Sequence, residues 1–208
     1  MTFSPVFRPF RPEDLPEILR IQADNLVSNL PEDRRSDGFL LTAFSPRQFE
    51  EMDREIPIIV ADRGAGLAGY LCSTGVAYSR SIPLLSRMID LFPEITFRGR
   101  SLDRCRTFFY GPVCVDRPDR GRGVIEGLFR ALMGRVRGRF DVGVLFVSSR
   151  NPRSMQAHLR KLGMTRVRDF TFDGRGFGFL VFEVAGVEDI TPPLMSSADP
   201  NRLKRLHP

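Results

Sequence analysis

Apolar positions along the chain recur with two different periods, and the changes of period mark its elements. Phe3 to Phe10 alternates around Val6 and Phe10 and predicts an edge strand. Pro12-Glu13-Asp14 opens a helix, with Pro and acids in the first turn where the dipole favours them. Leu15, Ile18, Leu19 and Leu26 form its apolar face. A charged loop from Pro31 to Gly38 follows, and Ser45-Pro46 then starts a second short helix through Met52. Pro57 to Ala61 reads as a buried strand, Asp62 to Gly66 as a turn and Leu67 to Tyr78 as a longer strand. Ser81 to Phe92 sets Leu84, Leu85, Met88, Ile89 and Leu91 at helical spacings, Pro93 to Arg104 is a polar connection, and Arg106 to Val115 is a strand.

The second half is sharper. Val124, Ile125, Leu128, Phe129, Leu132, Met133 and Val136 make a strongly amphipathic helix, and Phe140 to Val147 is an apolar strand. Asn151-Pro152 starts a helix with Asn as N-cap, Met155, Leu159 and Leu162 line one face of it, and Gly163 ends it. Thr165 to Phe172, the Asp173-Gly174 turn and Arg175 to Val184 read as a β-hairpin. From Glu188 to Pro208 the composition shifts to Pro, Ser, Asp and Arg, which predicts a tail following a single domain over residues 1–187, with an insertion near 80–105. The order β-α-α-β-β-(α)-β-α-β-α-β-β describes an α/β (α+β) protein whose mixed sheet is largely antiparallel in its first half and has helices on both faces.

Composition narrows the class. A chain of 208 residues with 42% hydrophobic and 27% charged residues is one domain with a real core, and Phe supplies its aromatics, since there are 18 Phe and no Trp. No window is apolar enough to span a membrane, and the N-terminus lacks the basic and apolar regions of a signal peptide. Cys72, Cys105 and Cys114 have no metal spacing and read as reduced thiols, so a cytoplasmic protein without a bound metal is expected. The net charge of +6 could attract an acidic partner, but the arginines are spread among acids, which argues against nucleic acid.

Two glycine patterns need separating. Gly64-Ala-Gly66-Leu-Ala-Gly69 matches a dinucleotide fingerprint in letters, but strand-like residues follow it where a helix is required, so a hairpin turn is the stronger reading. Arg120-Gly121-Arg122-Gly123-Val124-Ile125 lies between an apolar strand and the strong helix. Consecutive amides at a helix N-terminus, with glycines removing side chains and arginines adding charge, suit a diphosphate. Read blandly, it is a Gly-rich connection.

The segment from Gly111 to Val124 resembles the acetyl-CoA motif of the GCN5-related N-acetyltransferase (GNAT) superfamily, with Arg120 and Gly123 at its first two fixed positions and Ile125 in place of the final Gly or Ala. Asn151-Pro-Arg-Ser154, running on through His158 to Leu162-Gly163-Met164, resembles the same family's later helix. The resemblance implies a GNAT-like, mostly antiparallel sheet with a V-shaped split between the strands Arg106–Val115 and Phe140–Val147. In that arrangement Val113, Cys114 and Val115 would bond pantetheine like an added strand, the Arg120–Ile125 loop would hold the diphosphate, and Asn151 and Ser154 would flank the cofactor arm.

The activity it implies is transfer of acetyl from acetyl-CoA to a primary amine, on a small molecule or a peptide, by direct attack in a ternary complex. Transfer of a longer acyl group, or a CoA-sensing module without turnover, are the alternatives, and a homodimer is left open. The family commonly places a proton-donating Tyr on the helix after Asn. Counting seven residues forward from Asn151 gives His158, whereas counting back from Gly163 gives Leu159; the N-cap sets the register, so His158 is the candidate proton donor or shuttle. A histidine that only bonds the cofactor or a core carbonyl is the competing reading. Tyr110, on the strand beside the split, is the second catalytic candidate or else a core aromatic. Cys114 has no adjacent base and is read as packing, not as a nucleophile. The first two helices and the Ser81–Arg104 segment are expected to choose the acceptor.

Overall fold

Alternate residues of the central strands feed two different cores, and this sorts the helices onto the two faces of one sheet. In a computed structural model, residues 4–184 are described; the predicted Glu188–Pro208 tail and the domain limit at residue 187 lie outside them. The elements are β1 (Val6–Pro9), α1 (Leu15–Asn25), α2 (Pro46–Glu55), β2 (Ile59–Asp62), β3 (Leu67–Gly75), α3 (Val76–Ser79), α4 (Pro83–Asp90), β4 (Thr96–Phe97), β5 (Arg100–Ser101), β6 (Thr107–Val115), α5 (Val124–Val136), β7 (Val142–Ser148), α6 (Pro152–Gln156), β8 (Thr165–Phe172) and β9 (Arg175–Glu183). Seven strands form one sheet in the order β1-β2-β3-β6-β7-β9-β8, and β4 with β5 makes a separate small hairpin. Every pairing in the large sheet is antiparallel except β6 with β7.

Period two is visible in the packing. Phe108, Tyr110, Leu145, Leu180 and Phe182 join the core under α5, whereas Phe109, Val144, Phe179 and Val181 join a core on the opposite face with Met88, Ile89 and Phe92 from the 80–105 insertion. A third cluster beneath α1 and α2 holds Ile18, Ile21, Phe49, Met52 and Tyr70. The 80–105 segment is therefore part of the core and covers sheet that would otherwise be exposed. Among the described residues, no helix is long and apolar enough to cross a membrane.

Two expectations change. The strand expected from Leu67 to Tyr78 ends at Gly75, and Val76–Ser79 turns as a short helix. The Ser79 hydroxyl donates to the Gly75 carbonyl at 2.8 Å and meets the Thr74 hydroxyl at 2.8 Å, so a buried pair of hydroxyls overrides the strand preference of Val76. The polar connection from Pro93 to Arg104 contains the β4–β5 hairpin. The Gly64–Gly69 pattern is a hairpin turn: Gly64 and Gly66 have φ of +83° and +99°, and β3 follows directly. Gly69 is needed for packing, since a Cβ there would lie 2.6 Å from the Cys114 carbonyl oxygen on β6.

Candidate functional site

The split between β6 and β7 organises the site. These parallel strands pair only at Thr107–Val142, Phe108–Gly143 and Phe109–Val144. Beyond that point β6 stays bonded to β3 through Val113, Cys114 and Val115, and β7 stays bonded to β9 through Ser148. The two facing edges thus diverge with backbone groups turned into the gap. Asp141 braces the closed end: it accepts from the Arg106 amide at 3.0 Å and from the Arg106 and Arg100 guanidiniums, and its own amide donates to the Arg106 carbonyl at 2.8 Å. The Arg106 side chain holds the Asp141 carboxyl well below the usual carboxylate range.

At the open end, β6 runs into a loop fixed by buried acids. Asp116 accepts from the Arg117 amide at 2.9 Å and from Arg20 of α1 at 2.8 Å, and Asp119 accepts from Arg63 at 2.5 Å. Gly121 and Gly123 follow, each with φ of +81°, and neither has an atom within 4 Å of where a Cβ would stand. Gly123 is the N-cap of α5, and the Gly127 amide is the first to bond back into the helix, to the Gly123 carbonyl at 3.0 Å. The amides of Val124, Ile125 and Glu126 precede it, in the positions that helix geometry leaves without an intrahelical partner. The Arg120 guanidinium is used structurally: it donates to the Val115 carbonyl at 3.3 Å and bonds the Asn25 side chain, joining β6 to α1. Arg122 is exposed and does not line the cleft described below.

α6 supplies the opposite wall. Asn151 caps it as expected, accepting from the Ser154 amide at 3.2 Å, while its side-chain amide donates to the Phe39 carbonyl at 3.1 Å. The helix does not end regularly. Ala157–Lys161 forms a π turn in which the Leu162 amide bonds the Ala157 carbonyl, five residues back. That wider turn absorbs one residue and explains why counts from the two ends of the helix disagree by one.

His158 is 3% exposed, and its Nδ1 lies 2.7 Å from the Ser154 carbonyl oxygen. A carbonyl oxygen only accepts, so Nδ1 carries the hydrogen and Nε2 presents a lone pair. Nε2 is buried and has no partner, and burial lowers the imidazole pKa to about 4. In the neutral ring Nε2 therefore carries no hydrogen and is placed to accept a proton, the first half of the shuttle role expected for His158. Tyr110 packs edge-on to its ring at 5.5 Å between centroids, and the Tyr110 hydroxyl is also buried without a partner, its pKa raised by burial. Burial likewise pushes the Cys114 thiol up to about 12, in keeping with a packing role.

Two cavities meet at this wall. A cleft of about 320 Å³ lies along the outer part of β6 and the glycine loop. It brings together Val113, Cys114, Val115, Arg120, Gly121, Gly123, Val124, Ile125, Asn151, Ser154 and His158 from three separate stretches of sequence. A larger cavity of about 560 Å³ opens on the other side of the split and includes Tyr110. Val113, Asn151, Ser154 and His158 line both. Three contributors had no local signal in the sequence: Asn25, the Phe39–Leu40 segment, and Glu126, whose Oε1 lies 3.3 Å from Lys161 and whose Oε2 is buried without a partner. Among the described residues no cluster of His, Cys, Asp and Glu has the makings of a metal site.

No family model matches the chain, and no curated protein sequence is significantly similar to it. Its fold does have counterparts among solved structures. NAA60 of Arabidopsis thaliana in complex with acetyl-CoA superposes with a TM-score of 0.60 at 15% identity, over 88% of this chain and 100% of that one. A ribosomal-protein-alanine N-acetyltransferase of Brucella melitensis gives 0.57 at 19% identity, over 86% and 99%. An N-acetyltransferase of Staphylococcus aureus gives 0.59 at 17% identity, over 87% and 99%. At such identities the likeness is one of fold: the chain has the α/β architecture of the GNAT acetyltransferases, with the mostly antiparallel seven-stranded sheet and its split.

Proposed function

We propose that this protein is an acyl-CoA-dependent N-acyltransferase that takes acetyl-CoA as donor and a primary amine as acceptor. One observation carries the reading: the unpaired outer edge of β6 leads through a short loop to the N-terminus of α5, where Gly121 and Gly123 put no side chain into open space. An extended amide-containing arm ending in a diphosphate fits that combination. The edge offers backbone pairing to the arm, and the Val124–Glu126 amides with the positive end of α5 offer donors to the phosphates. When bound, acetyl-CoA supplies a thioester whose carbonyl carbon accepts a nucleophile.

The chain's own residues then have distinct tasks. Asn151 and Ser154 hold the start of α6 against the cleft, and the Asp116 and Asp119 ion pairs fix the loop. The amine enters from the larger cavity and forms its bond to the acyl carbon. The carbon–sulfur bond breaks with its electron pair on sulfur, and one amine proton ends on the thiol. His158 Nε2 is the acceptor for an amine N–H, and the Tyr110 hydroxyl is the donor for the sulfur or the carbonyl oxygen. Their support is that both atoms are polar, buried and unpartnered, His158 on the wall shared by the two cavities and Tyr110 in the larger one, with the two rings edge-on at 5.5 Å.

A second reading, a CoA-binding sensor without turnover, is favoured by one fact: both atoms are shielded from solvent, so the rings must part for a substrate to reach them. Calorimetric titration with acetyl-CoA, followed by an amine screen for free thiol release, tests both readings. Binding with amine-dependent thiol release supports the enzyme, binding without release supports the sensor, and no binding rejects both.

A further inference from the structure

The larger cavity carries information about the acceptor that the motifs do not. Half-buried apolar side chains from separate elements face it: Phe39, Leu41 and Phe44 before α2, Leu85 on α4, Phe146 on β7 and Phe172 on β8. Phe177, edge-on to Phe146 at 5.5 Å and stacked on Phe170 at 5.5 Å, makes this wall aromatic. Among the described residues no carboxylate lines the cavity, and its one charged side chain is Arg175, a cation that bonds Asp173 at 3.1 Å. A polyamine or a lysine-rich peptide would bring ammonium groups into this space with no lining carboxylate to receive them, and the charge of Arg175 is already paired with Asp173. Desolvating such charges unpaired is strongly unfavourable. An apolar body gains by the same burial, and an apolar surrounding also lowers the pKa of the single reacting amine, so that more of it is neutral.

We propose, resting on the acyltransfer reading above, that the cavity receives a primary amine carried on an apolar alkyl or arylalkyl body with no second cationic centre. The inner end of the cavity is the wall shared with the cleft, where His158 and Asn151 lie, so the nitrogen meets the acyl group while the body fills the space behind it.

The test compares primary n-alkylamines of increasing length and phenethylamine with spermidine and a short lysine-containing peptide, at saturating acetyl-CoA, by thiol release. kcat/KM should rise roughly fourfold per methylene until the cavity is full, with spermidine and the peptide at least tenfold below hexylamine. The opposite ranking overturns the proposal. Leu85→Asp, which places a carboxylate in the wall, should shift the preference at least tenfold from hexylamine toward hexamethylenediamine; an unchanged ratio in a folded variant also overturns it. If octanoyl-CoA is used faster than acetyl-CoA and excludes hexylamine competitively, the cavity belongs to the donor's acyl chain and the proposal falls. Phenethylamine binding to the cofactor-free protein, measured calorimetrically and weakened by Leu85→Asp, separates the two levels. Such binding without thiol release from any amine would reject the acyltransfer reading and leave the cavity's ligand class standing. Thiol release without such binding would reject the cavity assignment alone.

Discussion

His158 Nδ1 lies 2.7 Å from the carbonyl oxygen of Ser154, one turn back in the same helix, and this contact fixes which ring nitrogen bears the hydrogen. With Nδ1–H held by that carbonyl, Nε2 is the nitrogen left to take up a proton and pass it on. The contact and the burial act in opposite directions on the imidazole: desolvation, the larger effect, lowers its pKa, and the bond to Ser154 raises it. The net effect makes His158 a neutral acceptor over the physiological range.

This gives a stability signature. The folded pKa of about 4 lies below the ordinary value of 6.5, so between these two pH values the unfolded chain binds a proton here that the folded chain does not. Stability is therefore lost as pH falls from about 6.5 toward 4, by up to about 3 kcal/mol, and nothing is lost at this group above that window. His158→Gln removes the titration. Urea unfolding at pH 7 and pH 4.5 should show the stability difference between wild type and variant changing by about 2 kcal/mol in the variant's favour on acidification. A difference independent of pH would mean that His158 is not buried as a neutral ring.

Tyr110→Phe separates a polar role from a packing one. The hydroxyl has no partner within the protein, so its removal should leave the melting temperature unchanged or slightly raised. If the hydroxyl supplies the proton to the sulfur or the carbonyl oxygen, thiol release at saturating substrates should fall by roughly 10²-fold or more. Turnover within threefold of wild type would leave Tyr110 as part of the aromatic cluster with Phe129 and Phe182.

Element types were legible because burial and periodicity agree in this chain. Phe108 and Tyr110 face one core and Phe109 the other, and the same two-residue period in β9 sends Phe177 and Phe179 one way and Leu180 and Phe182 mostly the other. The Asp173-Gly174 turn, with φ of +50° and +67°, follows from residue types that tolerate the left-handed region. Less legible was whatever depends on contacts distant in sequence. Arg120 reads locally as a phosphate ligand, yet Asn25, 95 residues earlier, takes its guanidinium. The π turn at Ala157–Lys161 showed in the sequence only as two counts differing by one, and nothing local marked Phe39 as the acceptor for the Asn151 amide.

The loop before α5 should depend on its buried acids. Asp119 is 3% exposed and held by Arg63 from the β2–β3 turn. Asp119→Ala leaves the Arg63 guanidinium only its longer contact with Asp116 at 3.6 Å and its bond to the Ala65 carbonyl, and frees the loop, so the expected loss is about 1–3 kcal/mol of stability together with weaker acetyl-CoA binding. The informative comparison is Asp141→Ala at the closed end of the split, which should lower the melting temperature with little effect on affinity. Equal affinity losses in both variants would show general destabilisation instead of loop positioning.

Gly123 bears most directly on the assignment of the cleft. Its φ of +81° favours glycine, and the space where a Cβ would stand is open, so a side chain there enters open space beside the cleft at the start of α5. Gly123→Val should weaken acetyl-CoA binding tenfold or more, about 1.4 kcal/mol. The strain of the substitution is a separate effect and needs its own control. Gly138, just beyond the C-terminus of α5, has φ of +77° and equally open surroundings, so Gly138→Val imposes similar backbone strain away from the cleft. Gly123→Asn adds a second comparison, since Asn tolerates the left-handed region better than Val. Affinity should fall in both Gly123 variants and hold in Gly138→Val, while melting temperature falls in both Val variants. If calorimetry finds acetyl-CoA bound equally well by folded Gly123→Val and Gly138→Val, the diphosphate does not lie at this helix start, and the proposed cofactor site is wrong.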